Sequence, residues 1–108
     1  MDTTGQNESL QASLEAARRI GASVDEVRKI HALIKKQPPP TNVRGFELRF
    51  GKDSTGDNAM WIRFFVEDEK NPNPRQISQL TDFGNIIRSQ LLDADIHYWP
   101  YVEFRAAS

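Results

Sequence analysis

A turn-rich segment between two strand-like segments constrains the fold more than any other feature of this chain. Phe46, Leu48 and Phe50 alternate with charged residues, which is the period-two pattern of a half-buried strand. Residues 51–58 (GKDSTGDN) are turn formers, and residues 59–67 return to β-branched and aromatic types. The pattern predicts a β-hairpin with an eight-residue loop.

A helix and a third strand are predicted after the hairpin. Residues 71–74 (NPNP) break the chain and place a proline at the first position of a helix. Apolar residues then recur at helical spacing through residues 77–91. Residues 98–105 alternate again, and Pro100 indicates that the start of this strand is an edge or an entry point. Residues 43–108 therefore form a hairpin-helix-strand unit, and whether the third strand lies beside the first or the second stays open.

Two helices are predicted before the hairpin, in residues 9–37. The first has apolar residues at helical spacing and is followed by Gly21, a typical helix-ending residue. The second begins at Ser23, which stands three residues before Glu26 and so has the spacing of a capping box. It ends before three prolines at residues 38–40. This helical pair is expected to pack against the sheet.

The length of the chain fits one domain. With 108 residues, a single core over residues 9–108 is expected, while the polar residues 1–8 are expected to form a frayed tail. The fold class is α+β in the order α-α-β-β-α-β, with a three-stranded sheet backed by the third helix. Hydrophobic residues make up 38% of the chain, which is enough for a core and too much for a disordered protein.

Charge and cysteine content narrow the function classes. Lys plus Arg number 14 against 15 Asp plus Glu, so the chain lacks the net positive charge by which nucleic-acid binders attract phosphates. Cysteine is absent, which excludes disulfides, thiol nucleophiles and cysteine metal sites. Neither a membrane span nor a signal peptide is indicated. We expect a cytoplasmic protein without a metal or another cofactor.

Side-chain alternation gives the sheet two different faces. The third helix joins the second and third strands, so it should cover the aliphatic face, which comprises Met60, Ile62, Phe64, Val66, Val102 and Phe104. We call the opposite face the aromatic face, because it combines four aromatic residues with arginines. The candidate interaction residues of this face are Trp61, Arg63, Phe65, Trp99, Tyr101, Arg49 and Arg105, and the face also receives Glu47 and Glu103.

Three interpretations of the aromatic face follow. Its aromatics present on the order of 600 to 1,000 Å², more than most soluble monomers leave exposed. The two N-terminal helices could cover it and make a three-layer domain. It could instead bind a protein partner or a second copy, since aromatic residues and arginine are enriched at interface cores. It could also stack RNA bases, although Glu47 and Glu103 oppose that interpretation.

Other candidate sites are weaker. Lys52, Asp53 and Asp57 in the hairpin loop resemble a phosphate or cation site, but this loop leads into a strand rather than a helix, so a self-supported turn is favoured. His31 and His97 lack a metal-ligand spacing, and we expect His31 at the helix surface or boundary and His97 in a loop. No nucleophile and base are paired in the sequence.

Two resemblances arise from short motifs. The run Gly51-x-Asp53-x-x-Gly56-Asp57-x-Ala59-x-Trp61-Ile62 resembles a hairpin signature of small uncharacterised bacterial proteins, which implies a bacterial, cytoplasmic origin. The element order from the second helix onward, with residues 84–88 (GNIIR) and 100–104 (PYVEF), is similar to ribosome-binding factor A and its type II KH-like fold. That similarity implies contact with RNA or the ribosome. The chain lacks the Gly-x-x-Gly clamp of such domains and has Asp82 where an alanine is expected.

The sequence favours a non-catalytic protein-interaction module whose partner binds the aromatic face or an edge strand. Self-association as a dimer is included in this hypothesis. The alternative is an RNA- or ribosome-binding accessory domain, and a small enzyme is the third hypothesis.

Overall fold

The computed structural model describes residues 3–19, 21–67 and 74–106. Three helices and three strands follow the predicted order α-α-β-β-α-β. Their bounds along the chain are α1 Thr3–Arg19, α2 Val24–Lys36, β1 Val43–Lys52, β2 Asn58–Val66, α3 Pro74–Asp93 and β3 Trp99–Ala106. The α+β class and the packing of α3 on the sheet are confirmed.

The three strands form one mixed sheet in the order β1-β2-β3. β1 and β2 pair antiparallel, with Leu48 opposite Ile62, and both extend further into the turn than the alternation predicted. The loop between them is therefore residues 53–57, shorter than expected. β3 lies beside β2 and parallel to it, with Ile62 opposite Val102, which decides the strand order that the sequence left open.

The helix ends of the N-terminal pair follow the local signals. Gly21 has a φ of 76°, and its N–H donates to the carbonyl of Arg18 while that of Ala22 donates to Ala17, which is a Schellman motif. The Ser23 hydroxyl accepts from the Glu26 amide at 3.3 Å, which is the first half of a capping box, while the Glu26 carboxylate contacts His97. α1 begins at Thr3 rather than Ser9. Residues 3–8 have no apolar stripe, so helical periodicity gave no signal for these first turns.

All three helices lie on the aliphatic side of the sheet. Ile30 and Ile34 of α2 share a buried cluster with Phe83, Ile87 and Leu91 of α3 and with the aliphatic residues of β1 and β2. α1 packs beside them through Leu14 and Ala17, which contact Val27 and Phe50. The interpretation in which the N-terminal helices cover the aromatic face is therefore wrong. The domain has two layers, not three.

The width of the sheet explains this arrangement. Strands lie about 4.8 Å apart and a helix with its side chains is about 10 Å wide, so one helix covers about two strands. α3 packs over β2 and β3, where a Cβ on Gly84 would lie 3.3 Å from side-chain atoms of Val102 and Phe104. The aliphatic side of β1, including Leu48, is left for α2. α2 therefore covers the apolar side of β1 rather than the aromatic face.

Candidate functional site

The aromatic face of the sheet carries no helix in the part of the chain that is described. Strand register arranges its side chains in cross-strand rows, each with one residue from β1, β2 and β3. The central row is Glu47, Arg63 and Glu103, and the neighbouring row is Arg49, Trp61 and Tyr101. The face is therefore an ordered alternation of charged and aromatic rows.

Arg63 is the centre of the charged row. Its Nε donates to Glu103 Oε1 at 2.8 Å, and its Nη1 donates to Glu47 Oε1 at 3.0 Å. Its side chain is only 19% exposed, and the hydrogen bond to Glu103 raises the pKa of its guanidinium further. Two carboxylates on the flanking strands thus hold one cation in a fixed position between them.

The aromatic row is built on a stacked pair. The rings of Trp61 and Tyr101 lie 5.7 Å apart between centroids with an interplanar angle of 16°. Gly51 of β1 lies beside the indole, and a Cβ there would make an ordinary contact of 3.5 Å with the Trp61 ring. Tyr101 is 37% exposed and Arg49 is exposed beside the pair. Trp61, Arg63, Tyr101 and Arg49 are thus brought together as predicted for one surface.

The other candidate residues lie at the ends of the aromatic face. Trp99 is 44% exposed at the start of β3, and the guanidinium carbon of Arg88 in α3 lies 5.5 Å from its ring centroid. This cation–π contact stabilises the ring at the sheet edge, and nothing in the sequence pattern predicted it. Phe65 and Arg105 face each other across β2 and β3 at the opposite end.

The hairpin loop is a turn organised by Asp53. Its Oδ1 accepts from the amides of Thr55 and Asp57 at 2.9 and 3.1 Å and lies 2.6 Å from the Thr55 hydroxyl. These bonds lower the pKa of Asp53, and the bond from the Thr55 hydroxyl contributes most. Lys52 Nζ donates to Asn58 at 2.7 Å. Lys52 at the end of β1 and the loop residues Asp53 and Asp57 therefore support the turn itself, as in an Asx-type turn.

One contact joins this loop to the aromatic face. The Tyr101 hydroxyl donates to Asp53 Oδ2 at 3.0 Å, and this bond raises the pKa of Tyr101. The same region borders a cleft of about 720 Å³ between the loop, the end of α3 and the start of β3. Trp99 and Tyr101 line this cleft together with Leu92 and Asp57. The aromatic face therefore continues into a concave edge at the loop end of the sheet.

A buried polar pair lies away from this surface. His31 Nε2 and the Ser13 hydroxyl are 3.0 Å apart, and the two residues are only 4% and 1% exposed. His31 also contacts Phe46, with 5.0 Å between ring centroids. The expectation that His31 lies at the surface or boundary is wrong. His31 stands with Val27, Ile30 and Ile34 in an i, i+3, i+4, i+7 pattern, and this spacing was the signal for its burial.

The Ser13–His31 pair does not have the features of a catalytic pair. A substrate cannot reach a hydroxyl that is 1% exposed, and the other ring nitrogen, Nδ1, is buried without a hydrogen-bond partner in the described structure. Catalytic serine–histidine pairs are accessible, and a third group orients the histidine. Burial also lowers the pKa of His31 to about 4, with a smaller contribution from Lys35, which makes it a weak base.

His97 lies in the connection before β3, as expected, and contacts the start of α2. Its Nδ1 lies 2.7 Å from Glu26 Oε2, and its amide donates to Glu26 Oε1 at 3.3 Å. This hydrogen bond and the charge of Glu26 raise the pKa of His97. Lys29 Nζ of the same helix donates to the Ala94 carbonyl at 3.0 Å. α2 thereby fixes the segment that leads to the cleft.

No family model, curated protein or solved structure matches this chain. Within the described ranges, no three acidic or histidine side chains come together in a way that could hold a metal ion. None of the helices described above is long and apolar enough to cross a bilayer.

Proposed function

We propose that this protein is a non-catalytic interaction module and that a partner protein binds its aromatic face. The observation that carries the proposal is the stacked Trp61–Tyr101 pair on a sheet face that none of the three helices covers. Trp and Tyr are the residue types that most often dominate the binding energy of protein interfaces. The partner that fits is a protein surface with an apolar centre and charges of both signs around it.

The composition of the aromatic face supports a protein partner. Protein interfaces combine an aromatic, arginine-containing core with a polar rim. Here the stacked pair lies on β2 and β3 beside the central charged row, while Arg49 and Arg105 are exposed at the outer strands. Glu47 and Glu103 balance part of the positive charge. A surface of this kind selects partners by matching charges as well as by apolar contact.

The rigidity of the aromatic face supports the same proposal. Arg63 is held from two sides, and Tyr101 is held by both its stacking on Trp61 and its hydrogen bond to Asp53. Side chains that are ordered before binding lose little conformational entropy when a partner binds. A partner therefore binds a rigid surface more tightly than a flexible surface of the same area.

The RNA-binding alternative has less support. A base-stacking platform needs cations that are available to phosphates. The central cation, Arg63, already contacts two carboxylates at 3.0 Å or less, so a phosphate would have to compete with both. Glu47 and Glu103 would also repel a nucleic-acid backbone. The proposed bacterial origin and the KH-like similarity stay predictions.

The proposal is tested by comparative capture with the full chain. The immobilised wild type, Trp61→Ala, Tyr101→Ala and a control are exposed to a lysate of the source cells, and retained proteins are quantified by mass spectrometry. Ile86→Ala is the matched control, because Ile86 is an apolar residue, 47% exposed, on the helical layer. Circular dichroism checks that each variant is folded.

Support requires one defined protein that wild type and Ile86→Ala retain and that both aromatic variants lose, and that binds again as a purified component. We expect each aromatic variant to weaken this binding at least tenfold, which corresponds to about 1.4 kcal/mol. Equal retention by all four proteins would contradict the proposal. Retention of RNA that weakens steeply with salt and with Arg63→Glu would favour the alternative.

A further inference from the structure

β3 is an edge strand with one unpaired side. It pairs with β2 on one side, and no described residue forms a strand on the other. Its helical neighbour is α3, which packs on its aliphatic face. The row of N–H and C=O groups along such an edge is a template for pairing with another strand. The residues of β3 indicate which strand can pair with this edge.

Pro100 limits where pairing can occur. It lies within β3 opposite Met60, is buried and has no N–H, and an edge strand tolerates a proline whose nitrogen points away from the neighbouring strand. The N–H and C=O of one residue point to the same side of a strand, and the side alternates along the chain. The outward groups therefore belong to Val102, Phe104 and Ala106, while the segment before them is blocked by the proline.

The outward segment is complementary to itself. If a second copy pairs antiparallel about a two-fold axis at Phe104, each Val102 lies opposite Ala106 of the other copy. These are the residues with outward backbone groups, so the hydrogen bonds can form. Glu103 then lies opposite Arg105 of the second copy, and the reciprocal pair is made by symmetry. Residues in such pairs have Cβ atoms about 4.5–5.5 Å apart, within reach of an ion pair.

The contacts that Glu103 and Arg105 make within one copy leave both residues able to pair with a second copy. Glu103 accepts from Arg63 through Oε1, and a carboxylate can accept further donors. Arg105 is exposed at the end of β3. The register that aligns the backbone groups is thus the register that pairs opposite charges. Antiparallel registers about a neighbouring residue of β3 would either oppose like charges or use Pro100.

α3 adds apolar surface beside this edge. Ile77 stands seven residues before Gly84, so both lie on one stripe of the helix. Gly84 packs against Val102 and Phe104 of β3, whereas Ile77 is 53% exposed. A second copy brought in by the two-fold axis at Phe104 places its own α3 on this side. Ile77 is thus an exposed apolar residue on the stripe of α3 that faces β3, where a second copy can cover it.

We propose that two copies of this chain pair through residues 102–106 of β3 and form a continuous six-stranded sheet. The two aromatic faces then lie on the same side of that sheet, because residues paired across antiparallel strands point to the same face. This inference uses the backbone edge of β3 rather than the stacked Trp61–Tyr101 pair. Glu103 and Arg105 belong to both surfaces, whereas the outward backbone groups and Ala106 belong to the edge alone, so Ala106→Pro separates the two proposals. The occupant of the edge is a second copy of the chain rather than an unrelated peptide.

Light scattering after size exclusion, over a range of concentrations, tests this proposal. The wild type is expected at twice the monomer mass of 12.3 kDa. Arg105→Glu opposes like charges in both symmetric pairs and should raise the dimer dissociation constant roughly tenfold or more. Ala106→Pro removes an outward N–H from an exposed residue and should weaken the dimer independently of charge. Arg28→Glu, at an exposed position of α2, is the matched control and should keep the dimer.

Two results would overturn the inference. The first is a monomer at every concentration that solubility allows. The second is a dimer that survives both Arg105→Glu and Ala106→Pro, in particular one that Trp61→Ala dissociates, because the contact would then lie on the aromatic face. Circular dichroism of each variant separates loss of pairing from loss of folding. A monomeric wild type would leave the capture experiment with the aromatic variants unaffected.

Discussion

Mild acid should destabilise this fold through His31. The imidazole is 4% exposed and contacts Ser13 and Phe46, and burial with the nearby charge of Lys35 lowers its pKa from 6.5 to about 4. In the unfolded chain the same group keeps a pKa near 6.5. Between these values the unfolded state binds a proton that the folded state does not. The free energy of unfolding therefore falls as the pH decreases through this window.

The magnitude follows from the two pKa values. A full separation from 6.5 to about 4 corresponds to about 3.4 kcal/mol, all of it lost below the lower pKa. At about pH 4.5, linkage gives about 2.4 kcal/mol relative to neutral pH. Residual solvent access reduces this value, so about 2 kcal/mol is the expected loss. For a domain whose total stability is on the order of 5–10 kcal/mol, this is a large fraction.

Urea unfolding followed by circular dichroism measures this loss. Wild type and His31→Gln are compared at neutral pH and at about pH 4.5. Glutamine keeps a polar group near Ser13 but does not titrate, so His31→Gln should lose about 2 kcal/mol less than wild type on acidification. Taking the difference between the two proteins removes the contribution of carboxylates, which is common to both.

Two results would refute this reasoning. One is an equal loss of stability in wild type and His31→Gln. The other is a His31 titration in the folded protein, observed by NMR, with a midpoint near 6.5. His97→Gln is the control with the opposite sign, because His97 is exposed and its pKa is raised rather than lowered.

Two further predictions concern the contacts that hold α3 and the connection before β3. Gly84→Val should destabilise the fold by about 1–3 kcal/mol, because an added Cβ would already lie 3.3 Å from side-chain atoms of Val102 and Phe104. Gly84→Ala should be milder, since the higher helix propensity of alanine offsets part of the crowding. A urea midpoint that rises for Gly84→Val would contradict this packing. The pKa of His97, measured by NMR, should lie above 6.5 in wild type and return toward 6.5 in Glu26→Gln. The stability that this pair contributes is therefore complete below pH 6.5 and is lost as the pH rises through the folded pKa. An unchanged titration in Glu26→Gln would show that Glu26 is not the cause.

Local signals predicted the elements of this fold well. Gly21 ends α1 and Ser23 begins α2 as expected, because both act through backbone groups within a few residues. Alternation assigned the two faces of the sheet, because side-chain direction follows from the strand itself. The long-range choices were not predictable in this way. Strand order and the layer of α2 depend on which apolar surfaces compete for cover.

The same distinction between local and long-range information applies to the candidate site. The sequence predicted that Trp61, Arg63 and Tyr101 share a face, since their positions in alternating strands require it. It did not predict that Arg63 lies between two carboxylates, nor that Asp53 holds Tyr101. Those contacts depend on the register between strands and on the fold of the loop. Register depends on the turn between two strands and on the apolar patterns of both, so a pattern within one strand cannot reveal it.

The area of the aromatic face bears on how strongly one copy can bind. Trp99 and Tyr101 are 44% and 37% exposed, so covering them would bury on the order of 200 Å² and contribute about 5 kcal/mol. Association costs at least about 4 kcal/mol in lost freedom, so these two rings alone give little net affinity. A stable interface buries about 800 Å² on each partner. If two copies pair through β3 as proposed, the aromatic face is doubled, and a partner that spans both copies gains affinity without any new kind of contact.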